Sequence, residues 1–124
     1  MPRLLLVEDN EFNSDALGRL LTRRGFTVLV APDGPAALEL AERERPDLIL
    51  LDIGLPGMDG HEVAREMRLR PATAEIPIIA LTAHATPSDR AAALEAGCDG
   101  FEVKPVSISR LLPLIETLLA RGPL

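Results

Sequence analysis

Four short stretches of the chain are apolar without interruption: Leu4-Leu5-Leu6-Val7, Val28-Leu29-Val30, Leu48-Ile49-Leu50-Leu51 and Ile78-Ile79-Ala80-Leu81. None alternates apolar with polar. Runs of this kind read as strands covered on both faces, as in a parallel sheet between helices. Phe101-Glu102-Val103 is a shorter fifth strand. Between the strands the apolar period lengthens. Residues 11–24 carry Phe12, Ala16, Leu17, Leu20 and Leu21, which are expected to share one side of a helix that Gly25 stops. Residues 34–45 carry Ala37, Leu38 and Ala41. A helix over 60–69 follows Asp59, with Glu62 three positions on, the form of a capping box. Thr86-Pro87-Ser88-Asp89 repeats that form, with Pro at the first helical position, and opens a helix that runs to Ala96 and ends at Gly97. The last helix covers about 107–120.

Five strands alternating with five helices, joined by short connections and right-handed crossovers, predict a three-layer, doubly wound α/β fold with a parallel sheet. The 124 residues suit one domain, 1–124, with no room for an output domain. A chain 47% apolar and 26% charged can bury a core, which excludes bulk disorder. The balance of 13 basic against 19 acidic residues leaves no basic stripe to neutralise a phosphate backbone, so direct nucleic-acid binding is disfavoured. Aromatics are 2%, all Phe, too few for a base-stacking platform. Cys98 is alone, so neither an internal disulfide nor a structural zinc site is expected. No apolar run reaches membrane-spanning length, and Met1 to Val7 is too short for a signal peptide. These features predict a reduced, cytoplasmic setting with no membrane contact.

In open α/β sheets ligands bind beyond the carboxyl ends of the strands. Here those ends carry Glu8-Asp9 on the first strand, Asp52 on the third, Thr82-Ala83 on the fourth and Lys104-Pro105 on the fifth. If the first and third strands are neighbours, three carboxylates share one spot. Two like charges about 4 Å apart repel by roughly 4 kcal/mol at an effective dielectric near 20. Such a group stays partly protonated or holds a cation. An all-oxygen set with few protein donors favours Mg²⁺, with Mn²⁺ as a substitute. An acidic pair after one strand is ordinarily a loop or cap feature. The loop Ile53-Gly54-Leu55-Pro56-Gly57-Met58-Asp59-Gly60 directly after a buried strand is harder to dismiss, because its Gly and Pro residues shape it.

The sequence resembles a response-regulator receiver domain of two-component signalling, CheY-like in its wording. The resemblance rests on Leu-Val-Glu-Asp-Asn at 6–10, Asp-Leu-Ile-Leu-Leu-Asp-Ile-Gly-Leu-Pro-Gly-Met-Asp-Gly at 47–60, Ala-Leu-Thr-Ala at 80–83 and Gly-Phe-Glu-Val-Lys-Pro at 100–105, and it covers essentially the whole chain. The wording is closest to stand-alone regulators and the receivers of hybrid histidine kinases. The resemblance implies a flavodoxin-like sheet of strand order 2-1-3-4-5. It implies that Asp52 accepts a phosphoryl group, and that Glu8, Asp9, Asp52 and the Gly54 backbone carbonyl hold Mg²⁺. Thr82 and the amide of Ala83 would contact phosphoryl oxygens, and Lys104 would pair with the phosphate. The bond before Pro105 would be cis. Phe101 stands at the family's aromatic switch position, though it could equally be core. The donor would be a histidine kinase or histidine phosphotransfer protein. An unknown downstream protein would read the face of the fourth helix, fifth strand and fifth helix, which could also form a homodimer.

Some positions depart from the simplest pattern. Pro113 lies inside the last helix, where a central Pro costs about 3 kcal/mol, so that helix is expected to begin late or kink. Leu111, Leu112, Leu114, Ile115, Leu118 and Leu119 span an arc of about 160°, wide enough for core or for a partly exposed docking face. In the family, Gly54 and His84 occupy positions that tune phosphate lifetime; otherwise His84 reads as an exposed loop residue and His61 as a helix-surface one. Cys98 is expected to be small and buried. Two rivals remain. A phosphatase of the haloacid-dehalogenase type also uses a strand-end Asp with Mg²⁺. It needs a second Asp two residues on, where this chain has Gly54, and a cap domain for which there is no length. The other is a constitutive interaction scaffold of the same fold, which would have little use for the full set of Glu8, Asp9, Asp52, Thr82 and Lys104. Gly122-Pro123 suits a linker or a frayed tail.

Overall fold

In a computed structural model, which describes residues 1–84 and 86–121, the strands and helices alternate as expected. They are β1 (Arg3–Val7), α1 (Glu11–Arg23), β2 (Thr27–Ala31), α2 (Gly34–Glu44), β3 (Leu48–Asp52), α3 (Gly60–Leu69), β4 (Ile78–Thr82), α4 (Pro87–Ala96), β5 (Gly100–Val103) and α5 (Ile108–Arg121). The five strands form one parallel sheet in the order β2-β1-β3-β4-β5. The expected tail at Gly122-Pro123 lies outside the described residues.

Three of the four continuous apolar runs, those of β1, β3 and β4, are explained by the two cores. The expectation fails for β2, which lies at the sheet edge with Val28 and Leu29 only partly covered and Val30 46% exposed. Odd and even positions of a strand face opposite ways. Leu5, Val7, Ile49, Leu51, Ile78 and Ala80 pack against Ala37, Leu38 and Ala41 of α2, Val63, Ala64 and Met67 of α3, and Ala93 and Ala96 of α4. Leu4, Leu6, Leu48, Leu50, Ile79 and Leu81 pack on the other face against Leu21 of α1 and Leu111, Ile115 and Leu118 of α5. β1, β3 and β4 are therefore buried on both sides.

Short side chains start four of the helices. Asn10, Asp33 and Asp59 each accept from the backbone N–H three residues on. At α4 the box is complete: the Asp89 N–H donates to the Thr86 hydroxyl, and the Thr86 N–H donates to the Asp89 carboxylate. At α3 only the forward half forms among the described residues, and Glu62 is exposed.

Two further expectations need correction. Phe12, Ala16 and Leu20 do not join the core; Phe12 and Leu20 are 81% and 41% exposed, and Ala16 is exposed too. At about 100° per residue Phe12 lies about 180° round α1 from Leu21, so the two cannot share a face. Ser14 and Leu21 are buried instead. The last helix also does not begin late. It runs from Ile108 through Pro113 to Arg121. Pro113 lies on the exposed side, as does Ser109, whose carbonyl loses its helical partner. Water can serve that carbonyl, while Leu111, Ile115 and Leu118 anchor the opposite side in the core. Leu112, Leu114 and Leu119 pack partly against the same cluster, which settles most of the leucine arc as core.

A polar hub locks the ends of the strands opposite the rim. Arg68, in the last turn of α3, donates from Nε to the Gly97 carbonyl, from Nη1 to the carbonyls of Ala74 and Ile76, and from Nη2 to Asp99 at 2.7 Å. Asp99 also accepts from the Ile78 N–H and from Arg121. Gly97 has φ +109°, and a Cβ there would lie 2.7 Å from Arg68 Cγ, so both the left-handed turn and the arginine need glycine. Next to this hub, burial pushes the Cys98 thiol up to about 11; Arg68 opposes the rise and Asp99 adds to it.

Arg68→Met keeps the packing stem but removes every one of these donors. It should lower the unfolding free energy by roughly 2–3 kcal/mol in urea titrations, and a change below about 0.5 kcal/mol would show the hub to be dispensable. Cys98 should resist an aromatic disulfide reagent at pH 8 in the folded protein and react completely once denaturant is added; fast reaction without denaturant would contradict its burial.

Candidate functional site

The sheet register brings the strand-end residues to one level. Val7 pairs with Leu51, so Glu8, one step beyond, stands level with Asp52 on the neighbouring strand. Asp52 pairs with Leu81 and Thr82 with Val103, which puts Thr82 one step and Lys104 two steps further along the same rim. Backbone bonds hold the exits of the strands: the Glu8 N–H donates to the Ala31 carbonyl, the Ile53 N–H to Leu81 and the Lys104 N–H to Thr82. The peptide bond between Lys104 and Pro105 is cis.

Carboxylate oxygens of Glu8, Asp9 and Asp52 lie within 4.8 Å of one another. Glu8 is 6% and Asp52 3% exposed, whereas Asp9 is open to water. Lys104 Nζ sits 2.8 Å from Asp52 Oδ2 and 3.7 Å from Glu8 Oε2. The Gly54 N–H donates to Asp52 Oδ1 at 3.0 Å. Asn13, in the first turn of α1, donates from its side chain to Glu8 Oε1 at 3.1 Å. The Thr82 hydroxyl accepts from the His84 N–H at 3.2 Å. Together with the exposed Gly54, Ala83 and His84, these groups line an open cleft of about 410 Å³.

The charges inside are uneven. Burial, helped by the hydrogen bond and repulsion from Asp52, raises the Glu8 carboxyl to about 7, against the smaller opposing effects of Asn13 and Lys104. Burial also works against the charge on Asp52, but hydrogen bonds from Glu8, Lys104 and the Gly54 N–H outweigh it and hold Asp52 below the ordinary carboxylate range. The site thus carries one firmly ionic carboxylate, one that titrates near neutrality, and one in water. An arrangement of this kind can take up a small divalent cation through oxygen ligands and present a negatively charged oxygen for attack.

Phe101 is not at the rim. It lies on β5 opposite Ala80, half-buried against the core beneath α4, with the Arg90 guanidinium carbon 5.1 Å from its ring centroid. His61 is partly buried near the start of α3. Asn13 escaped the sequence reading because the fold, not spacing, turns the first helical turn back over Glu8. The same is true of an apolar groove of about 510 Å³ that runs from Glu8 and Lys104 along Leu17, Leu20, Pro105 and Val106. An exposed leucine on a helix gives no sign in sequence of the groove it borders.

The comparisons with known proteins agree with this geometry. A model of the response regulator receiver domain matches residues 4–116. The transcriptional regulatory protein AfsQ1 of Streptomyces coelicolor is 45% identical over 122 residues, which cover 98% of this chain and 53% of AfsQ1. The chain spans about half the length of the curated relatives that it matches first. The receiver domain of sensor histidine kinase PA1611 from Pseudomonas aeruginosa PAO1, solved with a magnesium ion coordinated in its active site cleft, superposes with a TM-score of 0.89 at 37% identity, covering 96% of this chain and 98% of that one. Chemotaxis protein CheY4 of Vibrio cholerae superposes with a TM-score of 0.90 at 29% identity, covering 95% and 98%. By fold and by sequence, this chain belongs to the response regulator receiver domains of two-component signalling.

Proposed function

We propose that this domain is a phosphorylation-dependent switch whose phosphoacceptor is Asp52. The observation that carries the reading is the state of that side chain: buried, held ionic, and fixed between Lys104 Nζ at 2.8 Å and the Gly54 N–H. An Asp52 oxygen attacks the phosphorus of a phosphohistidine on a histidine kinase or phosphotransfer protein. The O–P bond forms, the P–N bond breaks, and the imidazole leaves with the bonding pair and takes up a proton. Hydrolysis returns the carboxylate, as water attacks phosphorus and the acyl phosphate bond breaks to give inorganic phosphate. The domain promotes only its own phosphorylation and dephosphorylation.

Glu8, Asp9 and Asp52, with the Gly54 carbonyl, fit a Mg²⁺ ion, or Mn²⁺ in its place, and the magnesium in the PA1611 receiver supports that assignment. When bound, the ion offsets the charge of the incoming phosphoryl oxygens. Lys104 contributes a second positive charge and would move from Asp52 towards the phosphate. Thr82 would exchange the His84 N–H for a phosphoryl oxygen, donating its own O–H, and the amide of Ala83 would serve a second one. The small, exposed Gly54 leaves water a path to the phosphorus. The new charge, about −1.5 to −2, would draw Thr82 inward, let Phe101 follow, and reshape the face of α4, β5 and α5 that a downstream protein or second copy reads.

Acetyl phosphate with Mg²⁺ should add one phosphoryl group, seen by intact mass, and Asp52→Asn should add none. Unchanged labelling of that variant would move the acceptor elsewhere, and no adduct on the unmutated protein would favour the scaffold reading. Thr82→Ala should still take the phosphoryl group but lose the phosphate-linked amide shifts along α4 and β5.

The metal-free protein should be sensitive to pH through Glu8. Its carboxyl titrates above the ordinary 4.5 in the fold, so the stability it contributes is complete below about 4.5 and is lost as pH rises through about 7. Without divalent ions the melting temperature should fall over that window, Glu8→Gln should flatten the fall, and Mg²⁺ should restore stability at pH 8. By the same linkage Mg²⁺ uptake releases a proton, and its affinity should weaken by up to about tenfold per pH unit below 7. Calorimetry in two buffers of different ionisation enthalpy measures the proton directly, and an affinity flat from pH 6 to 8 would contradict the Glu8 assignment.

A further inference from the structure

The helix α4 is held unevenly along its length. Its buried side chains, Ala93 and Ala96, both lie in its second half. That half is also fixed by backbone: Gly97 and Cys98 donate back to Leu94 and Ala93, and the Arg68 hub holds the Gly97 carbonyl. The first half is capped by its own Thr86–Asp89 box, a set of bonds that closes within the helix and ties it to nothing else. Exposed Arg90 supplies a tie from this half to the sheet, its guanidinium carbon 5.1 Å from the Phe101 ring centroid.

The position of that ring matters. Phe101 pairs with Ala80, and Thr82 lies two residues beyond Ala80 on the same face of the sheet. The ring therefore stands one row below the Thr82 hydroxyl, beside a residue small enough to leave it room. Thr82 is also only five positions before Pro87, where α4 begins. The ring, the hydroxyl and the loosely held end of α4 are thus neighbours, and the cation clamps the ring to the helix.

We propose that Arg90 is a positioning residue of the switch: by stacking on Phe101 it holds the ring against α4 and opposes the movement that a displaced Thr82 would allow. This rests on the reading of Asp52 as phosphoacceptor. A cation over an aromatic face at an exposed site favours the held state by about two- to fivefold, so its loss should make the phosphorylated form easier to reach by the same factor.

The test uses the full chain with 4-fluorophenylalanine at its three Phe positions, 12, 26 and 101. Phe101→Leu identifies the Phe101 line in the ¹⁹F spectrum. Beryllofluoride with Mg²⁺ serves as the phosphoryl mimic. In the wild type the Phe101 line should shift on titration. In Arg90→Gln the unliganded line should already lie nearer the liganded position, and half-saturation should need about two- to fivefold less beryllofluoride. Arg90→Lys keeps a cation and should return both values towards the wild type. A simple surface role would leave half-saturation unmoved, and that result in Arg90→Gln overturns the proposal even if the line itself shifts. A wild type whose Phe101 line ignores beryllofluoride would instead overturn the switch reading of Asp52, and the role of Arg90 with it.

Discussion

Three carboxyl groups share one rim because the sheet leaves them nowhere else to go. Glu8 and Asp52 follow strands whose side chains are buried on both faces, and the ladder between β1 and β3 sets them level. A fully buried Leu or Ile contributes about 1.5–3 kcal/mol, and β1 and β3 together carry eight apolar residues with almost no exposure. Their summed burial far exceeds the few kcal/mol of repulsion at the rim. The core therefore wins, and the crowding is relieved locally: Glu8 holds its proton to about pH 7, Lys104 pairs with Asp52, and Asn13 and Gly54 donate to the remaining oxygens. A one-residue slip would separate the charges but would also turn every apolar side chain to the opposite core.

The two ends of the sheet are built differently. At the amino ends of β4 and β5 Arg68 and Asp99 bind α3, α4, α5 and the connection between them into one polar knot. At the carboxyl ends the loops are open and several of their donors already serve the site. On the proposed switch reading, a change at the rim would pass through the open loops rather than the knotted end, and α4 spans both.

Much of this was legible in the sequence, for a physical reason. A strand buried on both faces must be apolar throughout, so β1, β3 and β4 announce themselves, and whatever polar residue ends such a strand must lie at the rim. That is why Glu8, Asp9, Asp52 and Thr82 could be placed together from their positions alone; Lys104 follows β5, a short, half-buried strand that carries Glu102 and announces itself less. Helix faces were harder. Phe12 and Leu20 look like core because they are large and apolar, but α1 buries Ser14 and Leu21, and only the sheet beneath decides which side turns inward. Pro113 signals a broken helix, yet the penalty falls on a carbonyl open to water. Arg68 reads as an ordinary basic residue in a last helical turn, and nothing in its spacing reveals the backbone carbonyls that surround it. Asn13 was silent for the same reason: its partner Glu8 belongs to another element.

Of the 13 basic residues in the chain, 12 are arginine, and the single lysine is Lys104. The distribution fits the chemistry. At the Arg68 hub the fixed fork of a guanidinium serves several carbonyls and a carboxylate at once, which suits a joint that should not move. At the rim a fork locked onto Asp52 in two-point contact would hold the very oxygen that the proposed phosphoryl transfer needs free. An ammonium on a flexible stem is a point charge that can leave a carboxylate for a phosphoryl oxygen with little geometric cost. On the proposed switch reading the same argument separates Arg90 from Lys104: Arg90, flat and delocalised, suits a ring face, whereas Lys104 would suit an exchange of anionic partners.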